Sequence, residues 1–293
     1  GRMHLGNVLC ALLAWLSARH QNGAFLLRIE DLDAMRCPRS YADLIMDDLR
    51  WLGLDWDGEV PYQSERAPIY EKYEQILREK GLLYPCFCSR AALHAASAPH
   101  LSDGRVLYAG TCRGLTPAEI EEKRKKRAPA TRVRVPDEII SFTDGVFGAY
   151  SENLAEECGD FIIRRSDGVF AYQLAVTVDD GLSGVTEVVR GSDLISSTPR
   201  QIWLYRLFGF EPPHFVHIPL LCDVDGRRLS KRDEDLDLGL LRERFTPEQV
   251  IGALAFAAHL TDRAEPASVR ELVQDFDWSR IPRHELYLPP MFR

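Results

Sequence analysis

Apolar residues recur at Leu9, Leu12, Leu13 and Leu16 in "NVLCALLAWLSARHQNG", the spacing of one helix face, and Asn22-Gly23 closes that helix. "AFLLRIEDLD" then reads as a buried strand that ends in carboxylates. "SYADLIMDDLRWLG" predicts a second helix, with Ser40 as N-cap and Gly53 as its stop. "APIYEKYEQILREKG" predicts a third, with Pro68 in its first turn and Gly81 after its last. Between Cys86 and Cys112 the pattern breaks down. It resumes at "TPAEIEEKRKKR", where Thr116, Pro117 and Glu119 form a helix start with a capping box.

Alternating strands follow in "TRVRV", "ISFTDGVFGAY" and "DFIIRRSDGVFAYQLAVTVDD". Asp144-Gly145 and Asp167-Gly168 supply hairpin turns, and the last segment is expected to carry Tyr172 on a strand. "GVTEVVRGSDL" is a strand ending at Arg190-Gly191, and "STPRQIWLYRLFG" a helix with a capping box from Thr198 to Gln201. "HFVHIPLLCD" is an apolar strand that leads through Asp225-Gly226 into "RRLSKRDEDLDL". "TPEQVIGALAFAAHL" and "SVRELVQDF" read as C-terminal helices. Helices and strands thus alternate at both ends around a mixed middle. That is the signature of an open α/β nucleotide-binding sheet interrupted by a second domain.

With 293 residues, 45% of them hydrophobic, the chain can form one large domain plus a smaller one. No apolar run is long enough for a membrane span, and no signal peptide is visible. A net charge of −8 argues against bulk polyanion binding and leaves room only for a local basic patch. Seven cysteines, an odd and unevenly spread set, point to a reducing compartment and hence to the cytoplasm.

Five places carry candidate chemistry. His4-Leu5-Gly6-Asn7 opens a helix, whose N-terminus suits a phosphate; Gly6 lets a nucleotide approach the backbone, and His4 and Asn7 add donors. Glu30 sits at a strand's carboxyl end, where open α/β sheets place ligands, and can catch an amino group. Tyr172, in "VFAYQLAVTVDD", is the third. Arg190, at another strand end, can clamp a carboxylate with two parallel hydrogen bonds. Ser230-Lys231 lies on a loop from which the lysine can reach a phosphoryl group. Taken singly, each also fits an ordinary role as a cap, a turn residue, a surface ion pair or a solvated charge.

Their order resembles one family. "HLGN", "FLLRIEDLD", "FAYQLAVTVDD", "GVTEVVRGSDL" and "RLSKR" resemble, in sequence, the motifs of class I aminoacyl-tRNA synthetases of the glutamyl type over roughly residues 1 to 235. "HLGN" stands for the first signature, with Asn7 in place of its second histidine; "RLSKR" stands for the second, with Ser230 and Lys231 kept. The resemblance implies that Glu30, Tyr172 and Arg190 hold glutamate. It implies that His4, Gly6, Asn7, Ser230 and Lys231 serve ATP, with Mg2+ on its phosphates, and that His4, Asn7 and Lys231 are catalytic. The family also has a strand and an Arg-x-Ala-Pro-Ser-Pro turn before the first signature. That part is absent here, so the numbering is expected to start late.

Ordinary family members carry a long helical anticodon-reading region after the second signature, and residues 232 to 293 are too few for it. The chain therefore resembles the shortened paralogues that attach glutamate to queuosine at the wobble position of tRNA(Asp). L-glutamate, ATP and the queuosine-bearing anticodon stem-loop are the expected partners, and a monomer is expected. "YPCFCSRAALHAASAPHLSDGRVLYAGTCRG" fits the same group. Cys86, Cys88 and Cys112 with a fourth donor make a tetrahedral structural Zn2+ site. Tyr108 is the fourth donor by resemblance, with His94 and His100 as competitors on bare chemistry, and Cys10, Cys37, Cys158 and Cys222 are expected to be structural.

The predicted organisation is a Rossmann-type parallel sheet with an inserted α+β zinc-bearing subdomain and C-terminal helices. Residues 1–84 form the first half of the catalytic domain, 85–115 the zinc insert, 116–184 the rest of the inserted subdomain, 185–235 the second catalytic half with the Ser-Lys loop, and 236–293 a short helical region. Three other readings remain at this point: a truncated glutamyl-tRNA synthetase charging the 3′ end of tRNA(Glu), a non-catalytic zinc-bearing RNA-binding module, and another class I-like nucleotidyl transferase.

Overall fold

The computed structural model describes residues 2–33, 35–89, 107–223, 226 and 237–292. Helix α1 spans Leu5–His20, and Leu5, Leu9, Leu12, Leu13 and Leu16 are all fully buried. Asn22 takes the left-handed conformation that ends it, at φ 54°, while the Gly23 N–H bonds the Ala18 carbonyl at 2.7 Å. Helix α2 spans Arg39–Trp51. It begins before the expected cap Ser40: Pro38 is the N-cap, with no side-chain bond, because its fixed φ of −59° already leads into the helix. Helix α3 spans Ala67–Glu79.

The segment around residues 24–28, expected as a buried strand, carries no strand among the described residues: Ala24 and Leu26 are exposed, and Phe25, Leu27 and Arg28 are half-buried. Its one bridge is parallel, from Ile29 to Tyr62.

Strands β1 (Leu83–Cys86), β2 (Ala130–Val133) and β5 (Phe161–Arg164) form an antiparallel sheet in the order β1-β2-β5. Helix α4 (Pro117–Arg124) precedes β2 with the capping box of Thr116 and Glu119 formed. Strands β3 (Ile139–Asp144) and β4 (Gly148–Asn153) make a hairpin whose last pair is Asp144 with Gly148.

Tyr172 does not lie on a strand. Chain reversal at Asp167-Gly168 gives only an Arg164–Phe170 bridge, and helix α5 then spans Tyr172–Ser183. Leu174, Ala175 and Val178 form a buried helical stripe, and Gly184 ends the helix at φ 63°. The buried run is apolar on several sides, so periodicity alone cannot tell it from a strand.

Strands β6 (Glu187–Gly191) and β7 (His214–Ile218) pair in parallel, with Arg190 opposite His217, and helix α6 (Thr198–Phe208) connects them. This is a right-sized βαβ crossover. Strand β8 (Leu221–Cys222), helices α7 (Leu238–Arg244), α8 (Pro247–Ala257) and α9 (Val269–Val273), and strand β9 (Leu286–Tyr287) complete the chain. The expected continuous parallel sheet is therefore seen as separate parallel pairs among the described residues. A cleft of about 980 Å³ runs between residues 23–28 and 183–189, floored by α1, so the two parallel edges do not meet.

One core joins α1 to the C-terminal helices through Val216 and Ile218. A second joins α3, α5, α6 and the antiparallel strands. No described helix is long and apolar enough to cross a membrane.

Candidate active site

Arg190, next to last in β6, is 9% exposed and enclosed by donors and acceptors from three other elements. Its Nε–H donates to His217 Nε2 at 2.9 Å, Nη1 to Gln201 Oε1 at 2.8 Å, and Nη2 to Thr198 Oγ1 at 2.7 Å. Nη1 also lies 3.4 Å from the Tyr172 hydroxyl, and the guanidinium carbon 5.2 Å from the centre of the Phe215 ring. The expected capping box of Thr198 and Gln201 is not formed; Ser197 is the N-cap, with no side-chain bond. Both predicted capping side chains turn to the guanidinium instead, because a buried charge needs every acceptor within reach.

Behind Arg190, His217 Nδ1 lies 2.6 Å from Asp144 Oδ2, which also accepts the His217 backbone N–H at 3.0 Å. Asp144 Oδ1 accepts the N–H groups of Val146 and Phe147 at 3.0 and 2.9 Å. Burial opposes the Asp144 charge, but the His217 bond and these two N–H groups hold its carboxyl below the usual value. Burial pushes the His217 pKa below its ordinary value, with the Arg190 charge acting the same way and Asp144 opposing.

Tyr172 opens α5. Burial raises its phenol pKa; Arg190 opposes and the Glu30 charge adds. Tyr172 thus stands within reach of the Arg190 guanidinium and of the Glu30 charge. Glu30 itself is exposed, and Arg28 Nη2 donates to its Oε1 at 2.9 Å. Arg28 also bonds Asp180. Asp179, next to it, accepts from Gln63 at 2.9 Å, Arg66 at 2.7 Å and Tyr70 at 2.8 Å. This ionic frame fixes the segment that carries Glu30 to the second half of α5.

His4 is the N-cap of α1, its Nδ1 accepting the Gly6 N–H at 3.1 Å. A Cβ on Gly6 would stand 3.0 Å from the imidazole, so the ring lies over the first turn. No acidic side chain occupies that turn, and Asn7 is exposed there. Ser230 and Lys231 lie outside the described residues. The chain is described again from Asp237, which bridges His4, and the Leu238 N–H bonds the Met3 carbonyl at 3.1 Å.

The sulfur atoms of Cys86, Cys88 and Cys112 lie within 4.8 Å of one another. Tyr108 joins them, its hydroxyl 3.7 Å from Cys86 Sγ and accepting the Cys112 N–H at 2.8 Å. Arg132 Nε lies 3.1 Å from Cys86 Sγ, and its guanidinium stacks 3.8 Å from the centre of the Tyr108 ring. Burial opposes ionisation of Cys86, but the Cys88 backbone N–H and Arg132 lower its pKa. Burial, with Cys86 nearby, pushes Cys88 up to about 11. Three thiols and a phenol converging on one point suit a tetrahedral metal of zinc's softness. His94 and His100 lie outside the described residues. The other four cysteines stand apart from the cluster, and burial pushes Cys10 up to about 12.

Asp144, His217, Thr198 and Gln201 were not singled out as site residues by motif. Asp144-Gly145 and the Thr198–Gln201 pair carry turn and capping signals that conceal their part, while His217 lies inside an apolar strand.

A parallel strand pair, a helix N-terminus and a buried arginine pocket are the framework of a class I synthetase catalytic domain. Residues 1–279 match the family described as "tRNA synthetases class I (E and Q), catalytic domain". The Glutamyl-Q tRNA(Asp) synthetase of Symbiobacterium thermophilum is 49% identical over 99% of this chain and 93% of its own length. That of Geobacter sulfurreducens is 48% identical over 96% and 90%. The chain belongs to this class I family and, within it, to the glutamyl-Q tRNA(Asp) synthetases. A glutamate tRNA ligase from Elizabethkingia meningosepticum, solved with its amino acid, superposes with a TM-score of 0.83 at 27% identity. The chain is covered completely and spans 66% of that longer ligase.

Proposed function

We propose that this protein activates L-glutamate with ATP and transfers the glutamyl group to queuosine at the wobble position of tRNA(Asp). The observation that carries this reading is the likeness to glutamyl-Q tRNA(Asp) synthetases over nearly the whole chain. In the first step a glutamate α-carboxylate oxygen attacks the α-phosphorus of ATP, and pyrophosphate leaves. In the second, a hydroxyl of the queuosine cyclopentenediol attacks the activated carbonyl, and AMP leaves. No protein nucleophile is needed, because a carboxylate is already one. Catalysis is then positioning and charge stabilisation.

In this reading Arg190 and Tyr172 hold a glutamate carboxylate, and Glu30 takes the ammonium group. The α1 N-terminus with His4, Gly6 and Asn7 receives the ATP phosphates; its freedom from acidic side chains supports that role. Ser230 and Lys231 add donors from the segment that rejoins at Asp237. Mg2+ would accompany ATP and shield its phosphates. Cys86, Cys88, Cys112 and Tyr108 would hold a structural Zn2+, which ties the 107–112 loop to β1 within the inserted subdomain. The five-part domain division is proposed with it.

The test of the first half is glutamate-dependent ATP–pyrophosphate exchange without tRNA. Exchange should occur with glutamate, fall sharply with glutamine or aspartate, and be lost in Lys231→Ala with its fold intact. A single removed phosphate donor typically costs about two orders of magnitude in rate. Equal exchange with aspartate, or a fully active Lys231→Ala, contradicts the reading.

A further inference from the structure

A guanidinium has five N–H groups in one plane. At Arg190 three of them are committed at 2.7–2.9 Å, to His217, Gln201 and Thr198. One more makes only the 3.4 Å contact with Tyr172, and the fifth has no partner among the described residues. The two loosely used groups are the ones a carboxylate can take. Which way they point is fixed by the other three.

The Nε bond has a chemical condition. Arginine only donates, so His217 Nε2 must present a lone pair. Its Nδ1 then carries the proton and donates to Asp144. A protonated imidazole would set one N–H against another. Asp144 fixes this tautomer and is itself held by backbone N–H groups of Val146, Phe147 and His217.

The carboxylate comes from the inserted hairpin, not from the strands that carry Arg190 and His217. That hairpin is pressed onto β7: the Gly145 N–H bonds the Phe215 carbonyl at 2.9 Å. A Cβ on Gly145 would lie 2.7 Å from a Val216 methyl.

We infer that Asp144 and His217 are positioning residues for Arg190, through which the β3–β4 hairpin of the inserted segment sets the affinity of the pocket for glutamate. The inference rests on the reading that Arg190 holds a glutamate carboxylate. The charged or polar groups facing His217 are Asp144 from the hairpin, Arg190 from β6, Asp193 from the turn after it, and Thr198 from α6. The rings of Phe142 and Phe215 cover the rest.

The experiment measures the KM for glutamate, the KM for ATP and kcat in ATP–pyrophosphate exchange for Arg190→Lys, His217→Leu, His217→Gln and Asp144→Asn. His217→Leu should raise the glutamate KM by about tenfold to a hundredfold, the effect of one hydrogen bond to a charged group, and leave the ATP KM nearly unchanged. His217→Gln, which keeps an acceptor for Nε, should recover part of that loss, and Asp144→Asn should raise the glutamate KM alone. If His217→Leu does not fold, Asp144→Asn decides, since it leaves the imidazole in place. If neither folds, the wild type decides: its glutamate KM should hold steady above about pH 6.5 and rise as pH falls below it, where the depressed imidazole gains its second proton. A flat profile there overturns the inference. So does a loss spread equally over both KM values and kcat, or a normal glutamate KM in folded variants while Arg190→Lys is impaired. An unimpaired Arg190→Lys instead overturns the reading of the pocket itself.

Discussion

Three N–H groups of Arg190 are held by His217, Gln201 and Thr198, and Asp144 holds His217 in turn. The arginine, Glu30 and Tyr172 stand out in the sequence because their motifs occur in order. Their surroundings do not, because the acceptors of Arg190 come from the start of α6 and from β7, and the β3–β4 hairpin supplies Asp144 one step behind, at His217. Thr198 and Gln201 have capping spacing, and nothing local says that they turn inward to a charge instead. The same buried cluster predicts an acid-sensitive fold. The His217 pKa is depressed on folding, so below its ordinary value of 6.5 the unfolded chain takes a proton that the native imidazole refuses. Its contribution is complete above that pH and is lost as pH falls through the folded pKa. Asp144, also depressed, keeps its contribution above its ordinary value of 3.8 and loses it as pH falls through its folded pKa. The melting temperature should therefore drop between about pH 7 and about pH 5, and drop less in a folded His217→Gln variant. Parallel pH profiles for the two proteins would contradict this.

At the scale of elements, most helices were legible, since α1, α3 and α8 combine helical spacing with turn or cap residues at their ends. The segment before Ser183 was not. Its buried apolar run reads as a strand, yet it folds as α5 and puts Tyr172 in the first turn of a helix. The parallel strand pairing was legible only in part: β6 and β7 pair as expected, while residues 24–28 border a cleft. The cysteine cluster is an element-scale feature too, because it unites β1 and the chain just beyond it with the 107–112 loop. Stoichiometric zinc should accompany the purified protein and resist mild dialysis, since a structural site contributes its binding energy to local folding. A Cys86→Ser/Cys88→Ser double variant should lose the metal and melt at lower temperature. Elemental analysis checks this directly. Metal-free wild type, or full metal in the double variant, would remove the zinc assignment.

On the scale of the whole molecule, two cores meet where the β3–β4 hairpin touches β7. That junction lies behind the proposed glutamate pocket, so the hairpin and the parallel strands both border it. The net charge of −8 confines any polyanion footprint to a local patch, and binding of an RNA should weaken as salt rises. The central claim concerns where the glutamyl group is placed. A wobble nucleoside with a cis-diol offers the same nucleophile as a terminal ribose, so activation chemistry alone does not distinguish the two. The most direct measurement is to charge queuosine-bearing tRNA(Asp) with labelled glutamate, cleave it, and locate the label on the anticodon or the 3′-terminal fragment. The account predicts label on the anticodon fragment, unaffected by removal of the 3′-terminal nucleotide and absent from queuosine-free tRNA(Asp). Label on the 3′ fragment, or preferential charging of tRNA(Glu), would contradict it.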